Sequence, residues 1–270
     1  VKPAELSAQT LNVVSWNLKD FGQSRDDDAI RMIAEVIKDA DIVAIQEVVG
    51  KDPRGAQAVA RLADELNRMG TKWGYIVSNP TVSPSPYISE RYAYLWKTAK
   101  VSINRDHARL ISELADQVDR EPYLIHFKTK NQDLLTMINY HACTHNKYFP
   151  ERAEISAISS WLIDQNFKNV IWAGDMNLVI EDRAFNAIRS AGYSSALKGE
   201  KTTLKTKCDN GNYLSRAEDN VFYKLHNFQS QGATILDFIE DGDCGDVEWK
   251  RVSYSDHLGV RFVIGRVDRS

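Results

Sequence analysis

Apolar runs that stop abruptly on carboxylates, carboxamides and histidines recur along this chain, and they restrict its fold more than any other feature. In VIWAGDMNLV (Val170 to Val179) a run that reads as a core strand is broken by Gly174, Asp175 and Asn177. Similar breaks fall at Trp16–Asn17, at Gln46–Glu47, at His141, and at Ser255 to His257 just before a further strand. The ends of core strands are where a rigid sheet can hold side chains for chemistry. The pattern therefore predicts strands whose polar ends converge.

The elements between these breaks alternate, with no clear linker and no internal repeat, which predicts one domain over residues 1–270. Strands are expected at Leu11–Asn17, Asp41–Val48, Gly74–Ser78, Arg91–Lys97, Tyr123–Lys128, Leu134–His141, Val170–Ala173, Val221–Lys224 and Leu258–Ile264. A helix should start near Asp26, where three acidic residues suit the positive end of the helix dipole, with Ile30, Ile33, Ala34 and Ile37 at helical spacing. A second, with Ala58, Leu62, Ala63 and Leu66 inward, should stop at Gly70. Others are expected at Pro150–Gln165 and Asp182–Ala191. Pro80 to Pro86 holds three prolines and reads as a loop. Many strands and few helices predict two packed sheets with helices outside.

Composition narrows the function classes. The chain has 270 residues, 43% of them hydrophobic, and no apolar run approaches the roughly 18 residues of a spanning helix. The opening VKPAELSAQT lacks the basic-then-apolar layout of a secretory leader, and with no initiating Met it is compatible with loss of an upstream piece. Localisation stays open. A net charge of −3 argues against coating nucleic acid by bulk electrostatics, although a nuclease can handle phosphate with a metal and local basic groups. Cys143, Cys208 and Cys244 show no CxxC spacing, which argues against a zinc cluster or a disulfide framework but leaves room for one Cys208–Cys244 bridge.

A hard divalent cation takes oxygen ligands and often only one or two carboxylates, keeping its other positions for water and phosphate. Asn17 and Glu47 suit that need. Asp175 and Asn177, two apart on an extended segment, would point the same way and could hold a phosphate or its attacking water. Asp256–His257 could supply proton transfer. Each feature alone also fits a loop cap or turn. His141, Cys143 and His145 alternate as a transition-metal site would, though a hard-metal enzyme does not need them. Trp73 and Tyr87 could touch a nucleic acid.

As an ordered set, SWNLKDFG, DIVAIQEV, GDMN and SDHLGV resemble the endonuclease/exonuclease/phosphatase superfamily across nearly the whole chain. The resemblance implies an α/β fold, a four-layered α/β sandwich of two packed β-sheets flanked by helices. It implies phosphate-ester hydrolysis with a divalent metal, usually Mg2+, with Mn2+ also able to serve and Ca2+ left open. It places the metal at Asn17 and Glu47 with Asp256 close by, gives Asp175 and Asn177 the nucleophile and phosphate, and makes His257 catalytic with Asp219 as its carboxylate. YISERYAYLWK, REPYLIHF and NYHACT look like the deoxyribonuclease I branch, which implies a Glu90–His141 pair and a phosphate contact from Arg120. The function implied is endonucleolytic hydrolysis of DNA leaving 5′-phosphate and 3′-hydroxyl ends; the oligomeric state stays open, with a monomer favoured. The alternatives are a phosphatase or phosphodiesterase of the same fold acting on inositol phosphates, lipids or nucleotides, and a binding module without turnover. The cysteines do not reproduce that branch's disulfides, and the segment from Thr203 to Asp219 is longer. Beside it, KGEKTTLKTK sets Lys198, Lys201, Lys205 and Lys207 among hydroxyls, either for phosphate-backbone contact or as a solvated loop.

Overall fold

A computed structural model describes residues 10–82, 89–144, 148–239 and 244–267. Among these, six strands form one sheet in the order Phe228–Leu236, Gly259–Arg266, Thr10–Phe21, Ile42–Val49, Glu90–Lys97, Trp73–Val77. A second sheet runs Ser194–Ser195, Asp219–Lys224, Val170–Asp175, Leu134–His141, Tyr123–Thr129, Val101–Ile103, with Arg109–Leu110 also paired to Tyr123–Thr129. Neighbouring strands are mostly antiparallel; Thr10–Phe21 runs parallel to Ile42–Val49, and Leu134–His141 parallel to Val170–Asp175.

Successive side chains of a strand face opposite sides, and this alternation builds the layers. Leu11, Val13, Ile42, Ala44, Tyr92 and Tyr94 of the first sheet pack against Ile125, Met137, Ile171, Ala173 and Val221 of the second. Their out-of-phase neighbours Val14, Trp16, Val43 and Ile45 meet the outer helices Asp27–Ile37 and Gly55–Arg68. On the far side Ile138, Tyr140, Val170 and Trp172 are covered by Ile155, Ile158 and Leu162 of Glu151–Gln165. The result is helix, sheet, sheet, helix, as the sequence implied. Asp26 caps the first helix by accepting from Ala29 N at 2.8 Å, worth about 1 kcal/mol.

Some elements differ from expectation. The strand beginning at Val170 extends to Asp175, and Asp182–Ala191 is a 3-10 turn, Arg183–Phe185, followed by the short helix Asn186–Ser190. A hairpin, Leu204–Asp209 with Asn212–Leu214, and a helix, Cys244–Ser253, were not foreseen, and neither was the edge strand Phe228–Leu236. All three are poor in the apolar periodicity that betrays an element. The hairpin and helix are instead joined by a Cys208–Cys244 disulfide. The expected loop at Pro80 to Pro86 falls largely on residues 83–88, outside the described residues.

Candidate active site

At one end of the sandwich the layer between the sheets changes from apolar to polar. Ser15, Gln46 and Asn139 are buried there. Gln46 Nε2 donates to Ser15 Oγ at 3.1 Å and to Asn139 Oδ1 at 2.6 Å, while Asn139 Nδ2 donates to the Ile45 and Ala93 carbonyls. One step further along the same inward-facing phase come Asn17, Glu90, His141, Asp175 and Asp219. Strand phase therefore explains why residues scattered through the sequence meet.

Glu47 is out of phase with Gln46 and should face the helices. It is turned inward by a register shift between Ile45 and Val48 and by its own left-handed backbone, φ +57°. A bulge re-aims a side chain in this way. A left-handed non-glycine residue is held there only by its surroundings. Gly174 answers to a different constraint: at φ +146° a Cβ would lie 1.8 Å from the Tyr140 carbonyl oxygen of the adjacent strand. No side chain fits, which is why the run reads GD.

Asp175 is the hub. Its Oδ2 accepts from Asn17 Nδ2 at 3.0 Å and its Oδ1 from the Asn177 backbone N–H at 2.9 Å. His141 Nε2 and His257 Nε2 lie 3.5 and 3.6 Å from the same Asp175 Oδ2. Each imidazole turns its other nitrogen to a carboxylate: His141 Nδ1 is 2.9 Å from Glu90 Oε2, and His257 Nδ1 is 2.8 Å from Asp219 Oδ2. Thr202 Oγ1 donates to Asp219 Oδ2 at 2.6 Å. Pairings at the site thus cross between the sheets, among them Asn17 with Asp175, Glu90 with His141, and His257, which leads into Gly259–Arg266, with Asp219.

Burial pulls the His257 imidazole down, but Asp219 and Asp175 outweigh it and hold it well above its ordinary value. Burial and Arg120 depress His141, and Glu90 and Asp175 more than reverse this. Burial raises Glu90 and Asp175, yet the facing imidazoles leave both below the usual carboxylate value. Burial, reinforced by Asp175, pushes Asp219 up to about 6 despite His257.

Other expected residues sit differently. Asn177 is not on an extended segment; the strand ends at Asp175, and Asn177 turns left-handed (φ +48°) and donates from Nδ2 to the Ala142 carbonyl. Arg120 is buried beneath Glu90, 3.0 Å from its Oε1, with Nη1 also against His141 Nδ1. It therefore braces that pair, and its guanidinium is largely enclosed where a phosphate contact was expected. Asp256 pairs with Lys19 at 3.0 Å and Arg251 at 3.2 Å. The strand stops at His141, so Cys143 does not continue its alternation; burial pushes the Cys143 thiol up to about 12, against a nucleophilic role, and His145 and Tyr87 lie outside the described residues. Trp73 is buried under Lys97 and is no nucleic-acid contact.

Sequence reasoning passed over several supports. Ser255 Oγ donates to the Asn17 carbonyl at 2.6 Å, Trp16 Nε1 donates to the His257 carbonyl at 2.8 Å, and Tyr92 Oη accepts from His141 N at 3.3 Å. The phase of Tyr92, two residues after Glu90, was the available signal for the last.

Among the described residues, two places could take a divalent cation. Asp175, Asp219 and His257 each offer a ligand atom within 4.8 Å of one another. In that set, however, Asp219 Oδ2 is already engaged by His257 and Thr202. At the other, Asn17 Nδ2 is fixed between Glu47 Oε1 (2.8 Å) and Asp175, leaving Asn17 Oδ1 buried without a hydrogen-bond partner among the described residues. An oxygen left bare beside two carboxylates fits a hard cation.

Fold and site together define a phosphate-ester hydrolase architecture, and comparison with known proteins agrees. The model of the Endonuclease/Exonuclease/phosphatase family matches residues 14–257, and the chain belongs to that family. It is 29% identical over 128 residues to Deoxyribonuclease gamma of Homo sapiens, a match covering 46% of this chain and 41% of the relative, so about two-fifths of the relative's length. A family structure from Bacteroides thetaiotaomicron superposes with TM-score 0.67 at 15% identity, covering 97% of this chain and all of that one (100%). A mannosyl-6-phosphatase from the same organism gives 0.65 at 16%, covering 94% and 99%. D. rerio TDP2 complexed with single-strand DNA product gives 0.64 at 16%, covering 94% and 98%. These structures share the fold. Family and relative together support nuclease or phosphodiesterase/phosphatase activity.

Proposed function

We propose that the protein is a divalent-metal-dependent endonuclease that hydrolyses DNA phosphodiester bonds. The observation that carries this reading is the convergence of two carboxylate-backed imidazoles, His141 and His257, on one carboxylate oxygen of Asp175. A phosphodiester needs one group to take a proton from the attacking water and another to give one to the leaving oxygen. Two imidazoles on either side of a scissile phosphate supply both, and Glu90 and Asp219 hold each ring by its Nδ1, as the acid of a catalytic triad does. Water would attack phosphorus in line. The P–O3′ bond would break, and the two imidazoles would exchange their protons with water and the departing 3′-oxygen, leaving a 5′-phosphate and a 3′-hydroxyl. Asp175, held by Asn17 and the Asn177 N–H, would orient the nucleophile, with Asn177 beside the phosphate and Arg120 positioning Glu90.

Asn17 Oδ1 and Glu47 would hold Mg2+, with Mn2+ a substitute and Asp256 nearby; such an ion supplies neutralisation of charge developing on the phosphoryl oxygens. The acidic net charge and the fold shared with a mannosyl-6-phosphatase favour, as second reading, a phosphatase using the same groups on a small ester.

Nicking of supercoiled plasmid with Mg2+ or Mn2+ tests the choice, with EDTA and His257→Ala controls and with bis-p-nitrophenyl phosphate and an inositol phosphate in parallel. Metal-dependent nicking that falls about 10²–10⁴-fold in His257→Ala is expected. Turnover of small esters without nicking would replace the endonuclease by the phosphatase, and inertness of the folded protein on every substrate would defeat both.

A further inference from the structure

Next to His257 opens a cleft of about 300 Å³ whose lining includes Thr203, Lys205, Ser215, Arg216, Arg251 and Asp256. It is built by the hairpin and the helix that the Cys208–Cys244 disulfide joins. The module is fastened to the site itself: Thr203 bridges His257, Leu204 N donates to the Asp256 carbonyl at 2.8 Å, and Leu258 N donates to the Thr202 carbonyl at 2.7 Å. Thr202 in turn holds Asp219.

We propose that this cleft is a second phosphate subsite, taking the phosphate next along a nucleic-acid strand from the one at the imidazoles. Its cations outnumber its acids: Lys205, Arg216 and Arg251 face Glu218 and Asp256. Arg216 pairs with Glu218 at 3.0 Å yet leaves its side chain 72% exposed, free to reach a ligand. Arg251 spends one nitrogen on Asp256, while its Nε is buried without a hydrogen-bond partner among the described residues. Hydroxyls of Thr203, Thr206 and Ser215 line the same walls, and cations interleaved with hydroxyls are how proteins grip phosphate backbones. Spacing agrees as well. Lys205 stands two residues beyond the Thr203–His257 bridge, about 7 Å along a strand, a step comparable to that between successive phosphates of one strand. Of the four lysines in the KGEKTTLKTK stretch, the cleft thus selects Lys205. A small monoester would not reach it; a polymer would.

The inference rests on the phosphodiesterase reading for the chemistry of its ligand, and its test is separate from turnover. In a His257→Ala background, binding of a short fluorescein-labelled DNA duplex is followed by anisotropy from about 50 to 200 mM salt. Lys205→Ala/Arg216→Ala is expected to weaken binding at least tenfold and to make the salt slope shallower by about one to two. The charge-preserving Lys205→Arg/Arg216→Lys pair is expected to restore both. The comparison protein carries Lys130→Ala/Lys168→Ala, exposed lysines at the opposite end of the sandwich. Affinity and slope matching that comparison protein would overturn the subsite. Silence of the wild-type protein on plasmid and esters would instead strike the catalytic reading alone.

Discussion

Arg120 offers a test that needs no substrate. Its guanidinium is 3.0 Å from Glu90 Oε1, and their side chains are only 7% and 17% exposed. Removing one member of a buried pair leaves the other charged and enclosed, typically at a cost of about 3–5 kcal/mol. In Arg120→Met, Glu90 keeps the His141 imidazole at 2.9 Å, which points to the lower end, about 3 kcal/mol or a roughly 150-fold loss in the folding equilibrium. Glu90→Gln should cost about 2 kcal/mol, since Arg120 retains Asp119 at 3.7 Å. The double variant removes both charges, so its loss should fall at least about 1.5 kcal/mol short of the sum of the single losses. Urea unfolding with a shared m-value reads each term. If Arg120→Met lost less than about 1 kcal/mol, or if the losses added to within about 0.5 kcal/mol, Arg120 would not brace Glu90, and a free guanidinium waiting for phosphate would be the better description.

The disulfide closes a sequence separation of 36 residues, so Cys208→Ser/Cys244→Ser should destabilise by about 4 kcal/mol on the loop-entropy model; a change under about 1 kcal/mol in thermal or urea unfolding would show the helix and hairpin docked without it. The Glu90–His141 pair should shape stability against pH. Glu90, below its ordinary 4.5, contributes fully above that value and loses its contribution as pH falls through the folded value; His141, raised from 6.5, contributes fully below 6.5 and loses it as pH rises through its folded value. Urea midpoints from acid to alkaline pH should therefore show His141→Gln flattening the alkaline decline, and an unchanged decline would refute the assignment.

The strands and outer helices were legible because their apolar residues keep period two or period 3.6, as at Val13–Trp16 and Ile30–Ile37. Their ends pointed to Asn17, Glu47, His141, Asp175 and His257, which the structure does gather. Glu90, Arg120 and Asp219 carried no such signal and were reached only through family resemblance. What stayed hidden has local causes. Asn177 was misplaced because alternation was carried past Asp175 into a left-handed turn, and Arg120 because a sequence does not say which way a long side chain folds. The hairpin and the Cys244–Ser253 helix bury little, Val247 and Lys250 alone in the helix. A bridge between distant cysteines replaces the periodic core that would have announced them.

The pairings that span the sheets bear on how the molecule matures. Neither sheet by itself holds the Glu90–His141 or the Asp219–His257 couple, so a half-formed molecule, however well its own ladder is zipped, has separated parts and no working centre. Whatever reaction the centre performs, its appearance during refolding cannot precede docking of the two halves. Regain of function would then clock the final closure of the sandwich, and a small slide of one sheet over the other would disable both couples together rather than one at a time.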